Sequence, residues 1–347
     1  MNQKLLLFSC VALLFPANSC SRRGGGAMLS ATGKPYEVLV MMNEAQWERP
    51  AGRALYDALR MNVEGLPQSE PSFDVTAVAP PHFDTMFKMV RNIIIVDISD
   101  IYTAPKISVE RNVWATNQVV LKIQAPDEES FQHYVDFYAD RIVRFLNDVE
   151  LQRGANALKK TYNATAANKI MDMFGVELHF LNDLNVYKEG ENFFWASNDK
   201  GAGRIDIVVY SFSYTDVNTF TTDYLVAKRD SVMKINIQGA FEGSYMTTEK
   251  RIDPTYRAIT VNNAYCGELR GLWRMEKDMM GGPFVSHARL DATTQHIVVV
   301  ETFVFAPERK KRNLIKVMEA ALYTLKLPGE QENTENTIEL SAEEEGR

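Results

Sequence analysis

The longest regular pattern in this sequence is a run of apolar residues at three- and four-residue steps between Phe131 and Val149. This spacing is typical of an amphipathic helix, because residues three and four apart lie on one helix face. Pro126 and Asp127 come just before it and favour a helix start there. A helix with one apolar face must bury that face, so the rest of the chain has to provide a sheet or further helices as its partner.

Short apolar runs with strand character provide that partner in both halves of the chain. They include residues 36–42, 72–78, 92–98, 119–124, 204–212, 256–261, 265–275, 283–291 and 296–305. Strands and helices in this mixture predict the α+β class, with antiparallel or mixed sheets and amphipathic helices packed on one face.

The two halves share a local pattern in which a strand leads through Ala-Pro and an acidic residue into a helix. It occurs at Ala125-Pro126-Asp127 and again at Ala306-Pro307-Glu308. Proline is tolerated in the first turn of a helix, and a carboxylate there interacts favourably with the helix dipole. The pattern is compatible with two related α+β halves, and also with the common chemistry of helix starts.

The N-terminus has the pattern of a lipoprotein signal peptide. Lys4 is followed by an apolar stretch from Leu5 to Phe15, which is too short to span a membrane. Cys20 follows Ala-Asn-Ser and resembles the acylated cysteine of a bacterial lipobox, although Ala17 stands where Leu is usual. We therefore expect a signal peptide at 1–19 and lipid attachment, including palmitate, at Cys20. The alternative is a secreted protein whose cysteine is incidental.

Residues 20–34 are rich in Gly and Ser and predict a flexible tether after the lipidated cysteine. Two or three acyl chains anchor a protein stably where one chain is marginal. Ser21 stands where some lipoproteins of the inner membrane carry Asp, and the tether is basic through Arg22 and Arg23. These features favour a cell-envelope protein on the periplasmic face of the outer membrane.

The remaining chain is predicted to contain an N-terminal half at 35–174, a C-terminal half at 175–327 and an acidic tail at 328–347. The tail holds seven Glu and one Arg, and so polar a segment predicts disorder. No clustered basic face indicates nucleic-acid binding. The basic run 309–312, together with Lys316, opens the last helix and is expected on its solvent-exposed side.

No familiar catalytic or metal-binding motif occurs in the sequence. Gly-x-Ser-x-Gly, His-Glu-x-x-His, Walker and Cys-x-x-Cys patterns are absent, and none of the five His is paired with another at metal-ligand spacing. The sequence therefore predicts no metal site, no cofactor and no assignable catalytic residue. Of the three Cys, Cys266 alone would remain as a free thiol in the mature body, and we expect it to be a small buried side chain.

The densest polar pattern lies on two predicted neighbouring strands between residues 266 and 291. Alternation along a strand places several of its charged residues on one face of the sheet. One interpretation is a surface that binds an anionic or sugar-like ligand. The favoured alternative is a solvent-exposed face with cross-strand ion pairs, which antiparallel sheets commonly show. The candidate binding residues are Glu268, Arg270, Trp273, His287, Arg289 and Asp291.

Several stretches resemble the domain of unknown function 4837 family over about residues 34–325. They are Lys34-Pro-Tyr-Glu-Val-Leu-Val40, Leu66-Pro-Gln-Ser-Glu-Pro71, Gln124-Ala-Pro-Asp-Glu-Glu-Ser130, Lys228-Arg-Asp-Ser-Val-Met-Lys234, Arg270-Gly-Leu-Trp273 and Met280-Gly-Gly-Pro-Phe-Val-Ser-His-Ala-Arg289. The resemblance implies an envelope lipoprotein of Gram-negative bacteria. It implies no activity and no catalytic residue.

The sequence thus favours a lipid-anchored envelope protein that acts as a non-catalytic binding or scaffolding module. Its expected partners are the membrane, through the anchor, and an envelope protein. The alternative is a hydrolase or a small-ligand receptor that uses the polar strand face around Arg270, His287 and Arg289.

Overall fold

The computed structural model describes residues 28–201 and 203–330. The predicted signal peptide at 1–19, the lipid-attachment site at Cys20 and residues 331–347 of the predicted acidic tail lie outside the described residues. The described part folds into two sheets with helices packed against them. This confirms the α+β class with mixed and antiparallel sheets.

The N-terminal sheet is mixed. It contains β1 (Glu37–Met41), β2 (Asp74–Val78), β3 (Asn92–Ile98), β4 (Lys106–Arg111) and β5 (Val119–Ala125), in the order β2-β1-β3-β5-β4. The neighbouring pairs among β1, β2, β3 and β5 are parallel, and β4 pairs with β5 in the antiparallel direction. The central strands β1 and β3 are continuous apolar runs, as expected for strands with both faces covered.

Helices α1 (Glu44–Trp47), α2 (Pro50–Leu59) and α3 (Glu128–Leu158) belong to this half. α3 begins where the sequence predicts, and the Asp127 side chain accepts a hydrogen bond of 2.8 Å from the backbone N–H of Ser130. α2 and α3 bury their apolar stripes in the core formed with one face of the sheet. From α3 this core takes Phe131, Val135, Ile142, Val143, Phe145, Leu146 and Val149.

The C-terminal sheet is antiparallel and larger. Its strands are β6 (Val186–Gly190), β7 (Phe193–Ser197), β8 (Arg204–Ser213), β9 (Met246–Thr248), β10 (Thr255–Val261), β11 (Ala264–Met275), β12 (Gly281–Asp291) and β13 (His296–Phe305). The order is β10-β11-β12-β13-β8-β7-β6, with β9 paired to β11 beyond the end of β10. The two sheets therefore differ in strand order and direction. The second Ala-Pro motif, at residues 306–308, does not start a helix, because α6 begins only at Arg312 and Glu308 has a positive φ of 59°.

Helices cover both faces of this larger sheet, whereas the sequence predicts helices on one face. α5 (Thr222–Asn236) packs on the face that carries Trp273 and Phe303, and α6 (Arg312–Leu322) packs on the opposite face. β8, β12 and β13 are buried on both sides, which is why their sequences show few exposed positions.

Helix α4 (Ala164–Phe174) belongs to the core of the larger sheet. Its buried residues Ala166 and Ile170 pack in the same cluster as Ile315 and Met318 of α6. Packing therefore divides the two halves before α4, rather than after it at residue 174.

The two halves meet where α3 crosses α6. α3 continues through Gly154, although glycine has a low helix propensity. A Cβ atom on Gly154 would lie 2.7 Å from the Cβ of Ala320, a distance that real Cβ atoms essentially never show. The glycine therefore allows the two helix backbones to approach closely, and the packing outweighs its low helix propensity.

Glu70 of the N-terminal half caps α6 of the C-terminal half. Its carboxylate accepts hydrogen bonds from the backbone N–H groups of Lys311 (2.6 Å) and Arg312 (3.1 Å), and no side chain of its own helix caps α6. Arg312 also forms an ion pair of 2.6 Å with Asp74. Lys311, Arg312 and Lys316 are buried, so the prediction of a solvent-exposed basic side is wrong for these three residues. Lys311 and Arg312 bind residues of the N-terminal half, and Lys316 pairs with Glu319 on its own helix.

Within the described ranges, no helix is both long enough and apolar enough to span a membrane.

We expect Glu70→Ala to lower the free energy of unfolding by about 1–3 kcal/mol, because it leaves buried N–H groups of α6 without an acceptor and removes a charged cap. Chemical denaturation measured by circular dichroism tests this. Glu110→Ala, at an exposed position on β4, is the matched control and should change stability by less than about 0.5 kcal/mol. Equal effects of the two substitutions would contradict the capping role.

Candidate functional site

A cleft of about 1170 Å³ lies between the two halves. One wall is the side of α3 from Asp140 to Lys159, continued by residues 61–64 after α2. The other wall is the edge of the larger sheet from Arg257 to Asn263. Side chains from β11 and α6 form its floor. A concave site at an interface between two structural units, with converging polar groups, is the common geometry of a ligand-binding site.

Arg270 holds the floor of the cleft together. Its Nε and Nη2 atoms donate hydrogen bonds of 2.8 and 2.7 Å to the two carboxylate oxygens of Glu268. Its Nη1 atom donates a hydrogen bond of 3.2 Å to Glu319, which Nη2 also contacts. Glu268 lies on the same sheet face, and Glu319 lies on α6. The guanidinium therefore links the sheet to the helix through two carboxylates, and all three side chains are buried.

Two further basic side chains, Lys316 and His287, lie beside the two carboxylates. Lys316 lies 3.1 Å from Glu319 on the same helix, one turn away. His287 on β12 lies directly opposite Glu268 in the register, and its Nε2 atom is 3.5 Å from the Glu268 carboxylate. The edge of the imidazole ring packs against Tyr323, with ring centroids 5.0 Å apart.

The cluster shifts the pKa of its members in opposite directions. Burial is the largest single influence on Glu268 and Glu319 and would raise the pKa of both. The charge and hydrogen bonds of Arg270, joined by His287 at Glu268 and by Lys316 at Glu319, together hold both pKa values below their usual range. Burial would lower the pKa of His287, but the neighbouring Cys266 and Glu268 raise it to about 9. At neutral pH the two carboxylates are therefore ionised.

Asp148 on α3 faces the same cleft and has the opposite shift. Burial raises its pKa to about 6, against the attraction of Lys316, and the negative charge of Glu319 adds to the effect. Titratable groups with perturbed pKa values that share a cleft are typical of functional sites.

The structure brings together some of the six predicted residues and separates others. Glu268 and Arg270 line the cleft, and His287 lies directly behind Glu268. Arg289 is buried further along β12, where it donates a hydrogen bond of 3.0 Å to the backbone carbonyl of Leu325 and pairs with Glu330.

Trp273 and Asp291 lie away from the cleft. Trp273 is on the opposite face of the sheet, against Phe303, and its indole N–H donates to the carbonyl of Val304 at 3.2 Å. Its odd position in β11 places it there, since side chains alternate between faces. Asp291 accepts hydrogen bonds from Thr293 and Thr294 in the turn between β12 and β13. Both positions are structural.

The favoured interpretation of a solvent-exposed polar face is wrong, because α6 covers that face. Glu268, His287, Arg289 and Asp291 are each at most 3% exposed. Sequence reasoning also missed Asp148, Lys316 and Glu319. Lys316 and Glu319 are spaced one turn apart, a pattern usually found on solvent-exposed helix surfaces. No local signal in the sequence shows that this pair faces Arg270.

In the described part of the chain, no group of three or more His, Cys, Asp or Glu side chains is arranged to hold a metal ion. Cys266 is fully buried, as predicted.

The fold and site define an α+β protein with a charged cleft between two halves. Residues 163–324 match the family model of the domain of unknown function DUF4837. Residues 31–159 match a second model, the domain of unknown function DUF8532. The resemblance predicted over residues 34–325 is therefore confirmed for the C-terminal half, and the N-terminal half carries a different domain. The two models meet between α3 and α4, where packing also divides the halves.

No curated protein matches the chain. A crystal structure of a protein from Bacteroides thetaiotaomicron is similar at 14% sequence identity, with a TM-score of 0.24. The alignment covers 44% of each chain, so this chain spans less than half the length of that protein.

We expect Asp148→Asn to stabilise the protein above pH 6 and to leave it unchanged near pH 4. The pKa of Asp148 rises from 3.8 to about 6 on folding, so ionisation opposes the folded state once the pH passes through this range. The gain at pH 8 should be on the order of 1–3 kcal/mol, measured by denaturation at both pH values. Asp140→Asn, at an exposed position on the same helix, should show no such pH-dependent difference. A gain of equal size at both pH values would contradict the assignment.

Proposed function

We propose that this protein is a lipid-anchored cell-envelope protein that binds a polar ligand, without catalysis, in the cleft between its two halves. The observation that carries the proposal is the cluster of Arg270, Glu268, Glu319 and Lys316 at the cleft floor. Each buried charge costs several kcal/mol in lost hydration, and pairing only partly offsets this cost. A cluster this costly at the base of an open cleft gives the cleft a rigid charged floor, above which a ligand can bind at the polar rim.

The lining of the cleft indicates the chemistry of the ligand. The lining includes Asn147, Gln152 and Asn156 along α3 and Asn262 and Asn263 on the opposite wall. Of these, Asn147 and Asn262 donate hydrogen bonds to the backbone carbonyls of Val143 and Leu325. An amide group both donates and accepts hydrogen bonds. Together with the balanced charges of the floor, this lining favours a ligand rich in hydroxyl or amide groups over an apolar one.

Binding is favoured over hydrolysis because the carboxylates of the cleft floor are already paired with Arg270. Hydrolysis by two carboxylates needs one group as acid and a second that is available as base or nucleophile. Asp148 has the raised pKa of an acid, but both Glu268 and Glu319 are held by Arg270. The cleft floor therefore binds its own charges firmly and leaves the rim for a ligand.

We expect Asn156→Trp to block the cleft, because the position is exposed on α3 and lines one wall. Ala157→Trp places the same bulk on the neighbouring exposed residue outside the cleft and is the control. The measurement is the shift in melting temperature with a panel of defined monosaccharides, disaccharides and short peptides at millimolar concentration. A ligand that stabilises the wild type and the control, but not Asn156→Trp, supports the proposal. Equal shifts in all three proteins would place binding elsewhere.

The proposal of a lipid anchor is based on the sequence pattern around Cys20. The expected consequence is that Cys20→Ala releases the protein from the membrane fraction, because the thiol that would carry the acyl chains is lost. Cys266→Ala, at the buried free thiol, is the control and should leave fractionation unchanged. Quantitative blotting of membrane and soluble fractions measures both. Retention of Cys20→Ala in the membrane would contradict the lipoprotein interpretation.

A further inference from the structure

The edge strand of the larger sheet lies along the cleft. β10 pairs with β11 in an uninterrupted register from Thr255 to Val261. On its outer side, no segment within the described ranges adds another strand. An edge strand presents a row of backbone N–H and C=O groups that another chain can pair with.

The turn after β10 fixes which of these groups point outward. Asn262 and Asn263 both have positive φ angles, 51° and 61°, as in the two-residue type I′ turn of a hairpin. Such a turn closes on a hydrogen-bonded pair, here Val261 and Ala264. Hydrogen-bonded and non-hydrogen-bonded pairs then alternate along the ladder.

It follows that Tyr256, Ala258 and Thr260 direct their backbone N–H and C=O groups away from β11. The side chains of Ala258 and Thr260 point to the face opposite Glu268, because the odd-numbered residues of β10, among them Arg257 and Ile259, alternate onto the Glu268 side. Ala258 and Thr260 nevertheless line the cleft and are exposed. The part of these residues that lies at the cleft is therefore their backbone edge.

The cleft has the dimensions of a trough for one extended chain. Its lining on α3 runs from Asp140 to Lys159, which corresponds to roughly 28 Å of helix at 1.5 Å per residue. The facing strand from Arg257 to Asn263 extends over about 20 Å. A peptide of about six residues in the β conformation spans the same length. α3 leaves one side of the trough lined by amide and charged side chains, which can bind the outer edge of such a peptide.

We propose that the ligand of the cleft is an extended peptide segment of another envelope protein, which adds a strand to β10. This inference rests on the proposed function and narrows the ligand to one class. Backbone hydrogen bonds to Ala258 and Thr260 would supply affinity, and side chains of alternate peptide residues would contact the Arg257 and Ile259 side of the trough. The chain between Thr255 and Val261 contains no Pro and no bulge, so nothing in β10 itself blocks strand addition.

The experiment uses the detergent-extracted full chain and a phage-displayed library of random nine-residue peptides as the probe. An enriched peptide is then synthesised and its affinity measured by fluorescence anisotropy. Ala258→Pro removes one outward N–H and should weaken binding by about tenfold or more, as expected for a lost backbone hydrogen bond with added steric conflict. Ala258→Ser keeps the N–H and is the matched control, with less than about a twofold change.

N-methylation of the peptide gives a test that does not depend on the folding of a variant. Methyl groups on every second residue should weaken binding by about tenfold, and those on the intervening residues should have little effect, because alternate amides face the strand. Loss of binding to Asn156→Trp places the peptide in the cleft. Binding that is insensitive to N-methylation, or enrichment of no peptide at all, would overturn the inference. Dimers of the wild type that Ala258→Pro dissociates would overturn it as well, since a second copy would then occupy the edge.

The outcomes separate this inference from the proposed function. If saccharides stabilise the wild type and fail to stabilise Asn156→Trp while no peptide is enriched, the cleft remains a binding site and the peptide class is wrong. If neither saccharides nor peptides bind in a manner sensitive to Asn156→Trp, both proposals fail.

Discussion

The position of Arg270 between two carboxylates determines how the C-terminal half is assembled. Because the guanidinium is buried, it needs both Glu268 beside it on the sheet and Glu319 above it on α6. A buried charge left without its partner is strongly destabilising, typically by about 3–5 kcal/mol. α6 is therefore restricted to the one position in which Glu319 reaches the sheet. Since α3 packs on α6 through Gly154, the same ion cluster also sets where the N-terminal half lies and how wide the cleft is.

The two halves contribute different chemistry to the cleft. The C-terminal half supplies fixed charges and a strand edge, both held by an antiparallel sheet that is covered on two faces. The N-terminal half supplies a long helix whose apolar side packs in its own core as far as Val149 and in the core of the larger sheet at Leu151 and Leu158. The side that faces the cleft is polar. A rigid charged floor and a polar helical wall are a good basis for recognising the backbone of a ligand as well as its side chains.

Much of the fold could be predicted from the sequence, because its signals are local. The apolar stripe of α3, its start at Asp127 and the runs of β12 and β13 all follow from periodicity and capping. Alternation also placed Glu268, Arg270 and His287 correctly on one sheet face. Burial of that face was beyond local reasoning, since it depends on Glu319, about fifty residues later. Gly154 shows the same limit. By its propensity a glycine favours a helix break, and only the close approach of Ala320 shows that α3 and α6 cross there. Asp148 was missed because its raised pKa arises from neighbours on α6 and β11, which no pattern within α3 reveals.

Because Glu70 of the N-terminal half caps α6 of the C-terminal half, the two domains depend on each other for a complete helix start. Separate family models match the two halves, so each half has its own recognisable sequence pattern. Yet the last helix of one half has its first N–H groups satisfied by a carboxylate of the other, beside the ion pair of Arg312 with Asp74. A chain that carried the C-terminal domain beside an unrelated neighbour would need a new acceptor at this point. Residue changes at positions 70 and 312 are thus constrained together, although they belong to different domains.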